Sequence, residues 1–508
     1  MSYEVYMQNQ KPYLFFTIHS LKKKNDTMTF TVKEICERIW ELEERYGLNH
    51  MEIQGTYPWL IIRMYVYYEI TRKTQVFESA QQARLSLFDK VKSFTPFIKN
   101  SLLNNPFSGG KCDVLIFDHP RKVIFQNEYK DIYSYFLPQT LKENGKSFEI
   151  VESPYLNKHF TSKSYQKKNN VRFNDRILLG SFINKSRNRG KVPFTEDEKS
   201  RIDLLKKELE TAFSIEIDLF RIIEDHILNF KYDYEKYLEL LEKKQPKQVF
   251  LVVAYENKAL VSACHEKNIE VIELQHGTIS PYHLGYSYPK ETCKKDGKYK
   301  EIEYFPDKIL SFGDYWQNAC PFPIGKENII SMGYPYFNES SLEFMKIDKN
   351  HNQIIFISQG VIGKYLSKFA YETARNLEDY KIIYKLHPGE YATWRENYES
   401  LVKAEKMDNF KVIDKSEPPL YELFAKSEYQ VGAFSTAIYE GLSFNCKTFI
   451  IDAPGIEYLD ALFDKGIVLK VDDSDDMIEK MKDSNLAEYD KNYIFKPYDK
   501  SVFNKILK

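Results

Sequence analysis

The sequence predicts an α/β protein with two parallel-sheet domains that face each other across a cleft. From residue 248 to residue 470, short apolar runs typical of strands alternate with helical patterns, which is the order expected of βαβ units. A largely polar linker at 338–353 divides this region into two halves. The chain has 508 residues, too many for a single hydrophobic core, and this length also favours more than one domain.

Composition argues against several other classes of protein. The net charge is -1, so no overall positive field favours nucleic acid as a partner. The six cysteines include no C-x-x-C pair, which argues against a disulfide framework and a zinc site, and we expect neither a metal nor a cofactor. The first twelve residues are polar, and no run of about 18 apolar residues occurs. We therefore predict a cytoplasmic protein.

The first half of the chain contains fewer strand signals. Residues 13–18 (YLFFTI) predict a strand, and Thr31 and Gly47 occupy the N-cap and C-cap positions of an amphipathic helix. Residues 57–70 are the most apolar stretch and predict a buried helix, although their Trp, Tyr and Arg content would also suit a membrane interface. Residues 113–118 (DVLIFD) predict a buried strand.

Residues 157–245 predict a helical and basic insertion in the first domain. Its second part, 196–244, has the pattern of a long amphipathic helix. A solvated, mobile surface segment would explain the basic first part, and contact with an anionic membrane surface or a polyanionic acceptor would explain it equally well. The basic residues are Lys158, Lys163, Lys167, Lys168, Arg172, Arg176, Lys185, Arg187, Arg189 and Lys191.

The best-defined motif is the turn Gln275, His276, Gly277 and Thr278, which follows the strand predicted at 271–274. In open α/β sheets, ligands bind outside the carboxyl ends of the strands. A histidine at such a position can act as a base or donate a hydrogen bond to phosphate. The alternative is a loop histidine that only caps a neighbouring carbonyl.

Two strands predicted in the second half also end in polar motifs. The strand at 354–357 leads to Gln359 and Gly360, where backbone N–H groups could bind a phosphate. The strand at 382–385 leads to His387, which Pro388 holds in an extended conformation. Its imidazole could donate to a diphosphate, or it could only cap the start of a helix.

A third polar motif follows the strand predicted at 429–431. Ser435 and Thr436 begin a helix there, and hydroxyl and N–H groups at a helix N-terminus form an anion site. Glu440, one turn further, could accept hydrogen bonds from a ribose. An ordinary N-cap would explain Ser435 alone, but not its association with His387 and His276.

Other familiar motifs are absent or explained by local structure. No G-x-G-x-x-G follows a strand, which argues against a dinucleotide-dependent oxidoreductase. Residues 107–112 lack the spacing of a phosphate-binding P-loop. The acidic run at 472–476 precedes a helix, where acidic residues are expected, and we do not interpret it as a metal site.

The order of these motifs resembles that of the GT-B glycosyltransferases of bacterial surface polysaccharide synthesis. It is similar to the capsule polysaccharide transferases, including sialyl- and Kdo-transferases, and more remotely to the CDP-glycerol glycerophosphotransferases of teichoic acid synthesis. The resemblance covers roughly residues 249–470. The motifs are Leu-Gln-His-Gly-Thr (274–278), Ser-Phe-Gly-Asp-Tyr-Trp (311–316), Met-Gly-Tyr-Pro (332–335), Ser-Gln-Gly (358–360), Leu-His-Pro (386–388) and Ser-Thr-Ala-Ile-Tyr-Glu (435–440).

The resemblance implies a GT-B fold of two Rossmann-like domains. Residues 1–337 would form the acceptor domain and residues 338–508 the nucleotide-donor domain. By the same match, His387, Ser435 and Thr436 would stabilise the leaving phosphate, and Glu440 would bind the ribose. The further donor-binding residues would be Gln359, Gly360 and Pro388.

The resemblance leaves the general base open. His276 matches the histidine of the teichoic-type His-Gly-Thr motif and would be the base or a group that positions the acceptor. In the sialyl-type enzymes the base is instead a carboxylate of the first domain, for which Asp118 and Glu256 are the candidates here. The other residues expected in the cleft are Gln275, Gly277 and Thr278.

The expected function is transfer of a sugar from a nucleotide-activated donor, with CMP-sugars favoured, to a growing capsule or surface glycan, free or lipid-linked. We expect a single displacement with inversion and without a metal ion, at the inner face of the cell membrane. A nucleotide-sugar 2-epimerase and a non-catalytic glycan-binding assembly protein are the two alternatives.

Overall fold

The computed structural model of the protein describes residues 30–77, 97–155, 157–360, 362–483 and 486–508. These residues form two α/β domains, each built on one large parallel sheet. The strand predicted at 13–18 lies outside the described residues. The prediction of two parallel-sheet domains that face each other is confirmed.

The first domain is built on a seven-stranded sheet with the order β7-β6-β5-β4-β1-β2-β3. All neighbouring strands are parallel. This is the 3-2-1-4-5-6 order of the Rossmann fold with one strand added at an edge. The strands are β1 (Val114–Phe117), β2 (Phe148–Glu152), β3 (Val171–Phe173), β4 (Gln248–Val252), β5 (Glu270–Leu274), β6 (Lys308–Ser311) and β7 (Ile329–Ser331).

The second domain repeats this topology with six strands. Their order is β10-β9-β8-β11-β12-β13, again with all neighbours parallel. The strands are β8 (Asn350–Ile357), β9 (Lys381–Lys385), β10 (Phe410–Ile413), β11 (Ser427–Gly432), β12 (Lys447–Ile451) and β13 (Val468–Val471).

Helices connect the strands and cover both faces of the two sheets, so the strands are apolar on both sides. In the first domain and before it they are α1 (Val32–Tyr46), α2 (Pro58–Lys73), α3 (Leu137–Glu143), α4 (Lys163–Lys168), α5 (Asp175–Asn188), α6 (Glu196–Phe213), α7 (Leu219–Lys244) and α8 (Lys258–Glu266). The later helices are α9 (Pro335–Ser341), α10 (Gly363–Asn376), α11 (Trp394–Asn397), α12 (Glu399–Ala404), α13 (Leu420–Lys426), α14 (Thr436–Ser443), α15 (Asp460–Phe463), α16 (Ser474–Asp483) and α17 (Lys500–Ile506).

A short β-hairpin and a cluster of helices extend the first domain. The hairpin pairs Val123–Phe125 with Glu128–Lys130 in antiparallel fashion. Helix α2 corresponds to the apolar stretch predicted to be buried. Its Arg63 is 1% exposed and forms an ion pair with Glu43 of α1 at 2.5 Å. A charged side chain this deeply buried requires such a partner, and the pair places α2 inside the protein.

The segment predicted as an insertion is continuous with the framework of the first domain. Its strand β3 forms the edge of the sheet, and Asn184 of α5 donates to the carbonyl of Leu228 in α7 at 3.1 Å. Arg189 is paired with Asp225 at 2.5 Å. The sheet therefore orders the basic segment, while most of its charges remain at the surface. The exposed ones are Lys158, Lys163, Lys167, Lys168, Arg176, Arg187, Arg189 and Lys191.

The end of the chain returns to the first domain. The ring of Phe503 in α17 lies 5.6 Å from the rings of both Phe136 and Phe250. The amide of Gln248 donates to the carbonyl of Ile506 at 2.8 Å. Residues that follow the second sheet in sequence thus pack on the first sheet and tie the two domains together.

None of the described helices is long and apolar enough to cross a membrane.

Candidate functional site

A cavity of about 800 Å³ lies between the two domains, and residues that follow strands of both sheets line it. A volume of this size is typical of small-molecule sites. From the first domain the polar lining residues include Arg121, His276, Thr278, Ser280 and His283. From the second domain they include Ser358, Gln359, Lys385, His387, Ser416, Ser435, Thr436 and Glu440, and Glu339, Ser340 and Glu343 line the cavity from the segment that joins the two sheets.

The cavity brings together most of the site residues predicted from the sequence. Those that line it are His276, Thr278, Gln359, Gly360, His387, Pro388, Ser435, Thr436 and Glu440. Asp118, Glu256, Gln275 and Gly277 are not among its lining residues. Their surroundings explain why, as described below.

His387 follows β9 and is held in place by its own backbone. Its Nδ1 accepts a hydrogen bond from the backbone N–H of Gly389 at 3.1 Å, and its backbone N–H donates to Glu390 at 2.7 Å. Because Nδ1 is an acceptor, the proton of the neutral ring is on Nε2. Burial, together with the nearby charges of Arg121 and Lys385, lowers the pKa of His387 to about 4. At neutral pH the residue is therefore a neutral N–H donor.

Glu390 is a functional residue that the sequence interpretation missed. Besides the N–H of His387 it accepts hydrogen bonds from Ser358 at 2.9 Å and from Tyr398 at 2.7 Å. It thereby joins the motifs that follow β8 and β9. A signal for it exists, because a carboxylate three residues after a capping residue completes a capping box.

The N-terminus of α14 forms the next part of the second-domain wall. Ser435 is the N-cap, and its Oγ accepts from the N–H of Ala437 at 3.2 Å. Thr436 lies across the cleft from Thr278, with 3.3 Å between their hydroxyl oxygens. The amide of Gln359 donates to the carbonyl of Phe434. Its Oε1 is buried and has no hydrogen-bond partner among the described residues.

Glu440 lies one turn into α14, where the hydroxyl of Tyr421 donates to it at 3.1 Å. Burial raises the pKa of its carboxyl to about 7. Near neutral pH it can therefore accept hydrogen bonds from a ligand hydroxyl or donate one. This position matches the predicted role in binding a ribose, which stays a prediction.

His276 lies on the opposite wall at the end of β5 and is 6% exposed. Its Nδ1 is 3.4 Å from the hydroxyl of Tyr286, which donates to Glu273 at 2.6 Å. Its ring is stacked on that of His119 at a centroid distance of 6.3 Å. Burial, together with His119 and His283, lowers the pKa of His276 well below its usual value. The ring is therefore neutral at pH 7.

Gln275 and Gly277 belong to the same turn as His276 but do not line the cavity. The amide of Gln275 donates to the carbonyl of Gly277 at 2.8 Å, and its oxygen accepts from the N–H of Phe312 at 2.8 Å. Both polar ends of Gln275 are thus used inside the protein. We correct the expectation that these two residues face the cleft. The side chain of Gln275 instead connects the end of β5 to the loop after β6 by hydrogen bonds.

Asp118 is directed into a buried ionic network. Its carboxylate is 2.6 Å from the ammonium of Lys122, which is itself 4.0 Å from Glu152. Glu152 and Asp175 flank His159 at 2.9 and 3.0 Å. Burial and the carboxylates of Glu152 and Asp131 raise the pKa of Asp118, and the adjacent ammonium of Lys122 opposes this rise.

The second carboxylate candidate, Glu256, follows β4 in a short helical turn. It is exposed to solvent. It does not line the cavity. Neither predicted carboxylate therefore reaches the cavity, because Asp118 is engaged by Lys122 and Glu256 points elsewhere.

Four further lining residues were not assigned by sequence. Arg121 and Lys385 bring positive charge from opposite sides, and Ser280 and His283 extend the wall beside His276. Ser280 is 2% exposed, and its Oγ has no hydrogen-bond partner among the described residues. A signal was available for Ser280, because in an extended segment every second residue has the same orientation. His276, Thr278 and Ser280 are spaced in this way.

Among the residues that the structure describes, no group of three or more His, Cys, Asp or Glu side chains is arranged to hold a metal ion.

Lys385 donates hydrogen bonds to the hydroxyl of Tyr391 at 2.5 Å and to the carbonyl of Lys415 at 2.7 Å. Burial lowers its pKa to about 8. Arg121 and Lys385 are therefore the charged groups suited to an anionic ligand.

No protein-family model matches the sequence. Over 195 residues the chain is 31% identical to an uncharacterized protein of Methanocaldococcus jannaschii, and this match covers 37% of the chain and 32% of that relative. The chain therefore spans about a third of the length of the curated relative it matches.

The solved structures similar to this chain include both epimerases and glycosyltransferases. UDP-GlcNAc 2-epimerase from Methanocaldococcus jannaschii has a TM-score of 0.45 at 10% identity, over 77% of this chain and 98% of that chain. UDP-GlcNAc 2-epimerase from Neisseria meningitidis bound to UDP-GlcNAc has a TM-score of 0.44 at 13% identity, over 77% and 98%. Glycosyltransferase SnogD from Streptomyces nogalater has a TM-score of 0.39 at 12% identity, over 78% and 93%.

Proposed function

We propose that this protein is a glycosyltransferase that binds a nucleotide-activated sugar in the cavity between its domains and transfers the sugar to a glycan acceptor. The observation that carries the proposal is the convergence of His387, the N-terminus of α14 and His276 on one cavity. Residues 338–508 would bind the donor, and residues 1–337 would bind the acceptor.

The second-domain wall has the chemistry that a nucleoside phosphate requires. His387 presents a neutral Nε2–H donor because its Nδ1 accepts from Gly389. The N–H groups at the start of α14 add donors and a favourable dipole, and Arg121 and Lys385 supply positive charge. As the bond to the sugar breaks, negative charge grows on the phosphate, and donors already in place would stabilise it without reorganisation.

The first-domain wall adds a second, aromatic region to the cavity. An aromatic series leads from His276 through Tyr133, Tyr334 and Tyr336 to Phe125 of the hairpin. Successive ring centroids are 6.2, 6.1, 5.9 and 5.1 Å apart. A mostly apolar surface with a few polar groups is typical of small-molecule sites. This second region supports transfer to an acceptor, because an epimerase has no second substrate to bind.

We propose a single displacement with inversion. His276 would take the proton of the acceptor hydroxyl while the oxygen of that hydroxyl attacks the anomeric carbon of the sugar. The bond from the sugar to the phosphate would break, and the nucleotide would leave with the bonding electrons. The step uses this chain's own groups and needs no redox partner. CMP-linked sugars are our first choice of donor, because the motifs at 386–388 and 435–440 resemble those of the capsule sialyltransferases.

We further propose that the acceptor is a capsule or surface glycan at the inner face of the membrane. The exposed lysines and arginines between 158 and 191 support this, since clustered basic residues are attracted to anionic lipid surfaces. Sedimentation with vesicles tests it. Binding to vesicles that contain phosphatidylglycerol and not to pure phosphatidylcholine is expected, and equal binding to both would contradict it.

The proposed function is tested with a panel of CMP-, CDP-, UDP- and GDP-linked sugars. A donor that binds only the native state raises the melting temperature, by an amount equivalent to about 2.7 kcal/mol at a concentration of 100 times Kd. His351→Ala is a suitable control for substitutions of His387. Both histidines belong to the second domain, but His351 is 83% exposed and lies outside the cavity.

The donors that bind are then incubated with the protein, first alone and then with oligosaccharide acceptors. A new glycosidic product, seen by mass spectrometry only when acceptor is present, is the expected result. An isomerised nucleotide sugar formed from donor alone would assign the protein as an epimerase. If no donor raises the melting temperature, the protein is a glycan-binding assembly protein and not a transferase.

A further inference from the structure

Two of the histidines that line the cleft have the same protonation pattern. His283 and His387 each accept at Nδ1 a hydrogen bond from a backbone N–H two residues later, at 3.2 Å from Gly285 and 3.1 Å from Gly389. A neutral imidazole carries one proton, so in both rings it is on Nε2. His119, behind the cavity wall, has both the N–H and the carbonyl oxygen of Arg121 within 3.3 Å of Nδ1, so these contacts do not determine its tautomer.

His276 has different surroundings. Its Nδ1 is 3.4 Å from the hydroxyl oxygen of Tyr286 and 4.0 Å from Oε1 of Glu273. The hydroxyl of Tyr286 is 2.6 Å from the same Oε1. A tyrosine has only one hydroxyl hydrogen, so the shorter contact decides which atom receives it.

The carboxylate of Glu273 takes the hydrogen of Tyr286 whether or not it is ionised. Oε1 also accepts from the backbone N–H of Ala254 at 3.1 Å, and an oxygen with two donors facing it is a poor place for a proton. Oε2 is buried and has no hydrogen-bond partner among the described residues. If Glu273 gains a proton, Oε2 is therefore its place, and Tyr286 still donates to Oε1. The oxygen of Tyr286 can then only accept from His276 Nδ1.

We propose that Glu273, acting through Tyr286, is a positioning residue that places the proton of His276 on Nδ1 and leaves the lone pair on Nε2. His276 thus has the opposite tautomer to His283 and His387, which line the same cavity. This inference rests on the proposed function in one respect: the Nε2 lone pair is then the group that receives the proton of the acceptor hydroxyl. The oxygen of that hydroxyl forms the bond to the sugar, and the bond from the sugar to the donor phosphate breaks.

The surroundings of Nε2 agree with this assignment. The hydroxyl of Tyr255 is 3.5 Å from Nε2, about as far as that of Tyr286 is from Nδ1. The two sides differ because the carboxylate of Glu273 lies 4.0 Å from Nδ1 and takes the hydrogen of Tyr286, whereas the hydroxyl of Tyr255 can donate to the lone pair on Nε2. A base whose ring is oriented by a hydrogen-bonded third group follows the general logic of catalytic triads, here with a tyrosine between the carboxylate and the imidazole.

The tautomers are measured by NMR on the full chain labelled with ¹⁵N-histidine, without any ligand. Long-range couplings between ring protons and nitrogens distinguish the two tautomers, and His276→Gln identifies the signals of His276. The expected result is a protonated Nδ1 in His276 and a protonated Nε2 in His283 and His387. A protonated Nε2 in His276 of the unmodified protein would overturn the inference.

Two variants test the path from Glu273. Tyr286→Phe and Glu273→Gln should each reduce the Nδ1–H form of His276, whereas Tyr255→Phe, on the Nε2 side of the ring, should retain it. An unchanged His276 tautomer in a variant that keeps its fold by circular dichroism would contradict the role of that residue. If one variant fails to fold, the other gives the result.

The turnover of these variants separates this inference from the proposed function. Tyr286→Phe should lower turnover by about 10- to 100-fold with donor affinity unchanged, less than the loss of a whole general base. If the tautomers are as expected but no donor is turned over, the proposed function fails and the positioning role stands. If transfer occurs but His276 has the common tautomer, the positioning role fails and the proposed function stands.

Discussion

The two walls of the cleft are built on sheets of the same strand order, yet their polar groups are held in place in different ways. In the second domain, His387 accepts from the backbone two residues on, and Ser435 caps its own helix. In the first domain, Asp118, Lys122 and Glu152 form a buried network that joins β1 to β2, and Glu273 reaches His276 through Tyr286.

This difference indicates how each wall serves its ligand. Neutral donors set by local backbone suit a phosphate, because they are in place before the ligand binds and need no charged partner inside the protein. Buried charges in the first domain must instead neutralise each other, since an unpaired buried charge is very costly. The first-domain wall therefore depends on pairs of charged and polar side chains, whereas His387 and Ser435 of the second-domain wall are held by bonds to their own backbone.

The largest effect is expected when the buried network loses its cation. Lys122 is fully buried, 2.6 Å from Asp118, and also donates to the carbonyl of His119 at 2.6 Å. Lys122→Met should lower the free energy of unfolding by about 3–5 kcal/mol, because carboxylates would remain buried beside it. Urea unfolding measures this loss. The double variant Lys122→Met/Asp118→Asn should lose less, and an equal loss would show that the ion pair is not the cause.

The next effect is a loss of stability at alkaline pH, caused by His159 of the first domain. Asp175 is hydrogen-bonded to Nε2 of His159, and Glu152 to Nδ1. These two carboxylates raise the pKa of His159 to about 9, although burial by itself would lower it. The unfolded value is about 6.5. Because the folded value is the higher one, the stabilisation is complete below about pH 6.5 and is lost as pH rises through 9. It amounts to about 3 kcal/mol.

His159→Gln should remove this alkaline loss of stability. Urea unfolding between pH 6 and 10 measures it, with His351→Gln as the control for an exposed histidine. An alkaline loss of stability that persists in His159→Gln would contradict the assignment.

The pKa of His387 is shifted in the opposite direction, to about 4. Between about pH 6.5 and 4 the folded protein therefore binds fewer protons at this residue than the unfolded chain does, and the protein loses stability on acidification. His387→Gln should reduce this loss.

A loss of activity is expected when the second wall is changed. His387→Ala removes the Nε2–H donor and should lower turnover by about 10²-fold or more, the scale for one preorganised donor in an active site. Steady-state kinetics with the donor found in the panel measures it, and His351→Ala should behave as the unmodified protein. Turnover close to normal in His387→Ala would refute the role of this residue.

The smallest effect is expected at the contact between the two walls. The hydroxyl oxygens of Thr278 and Thr436 are 3.3 Å apart across the cleft. Thr278→Val keeps the shape of the side chain but removes its hydroxyl, which should weaken donor binding by about 1 kcal/mol, or about fivefold in Kd. Calorimetric titration measures it. Thr278→Ser retains the hydroxyl and should bind normally, and a weaker Ser variant would show that shape, not the hydrogen bond, matters.

Sequence patterns were most informative where one short stretch of chain contains both the pattern of a strand or helix and the polar group that follows it. The turns after β5 and β9 and the start of α14 are of this kind, and His276, His387 and Ser435 do line the cavity. Patterns were least informative for Asp118. Its position at a strand end was evident, and Lys122 is only four residues further along the chain, but the carboxylate of Glu152 approaches Lys122 only because β1 and β2 are neighbours in the sheet.

By itself the sequence determined the alternation of strands and helices, the division into two halves and the polar turns at the ends of the strands. These features depend on periodicity and on residues close together in the chain. Only the tertiary structure decided that Arg121 faces His387 across the cleft, that Glu273 reaches His276 through Tyr286, and that α17 returns to the first sheet. The first and third of these contacts join residues far apart in sequence, and the second depends on how the loop after β5 brings Tyr286 back to the end of that strand. No local pattern records which side chains will meet in either case.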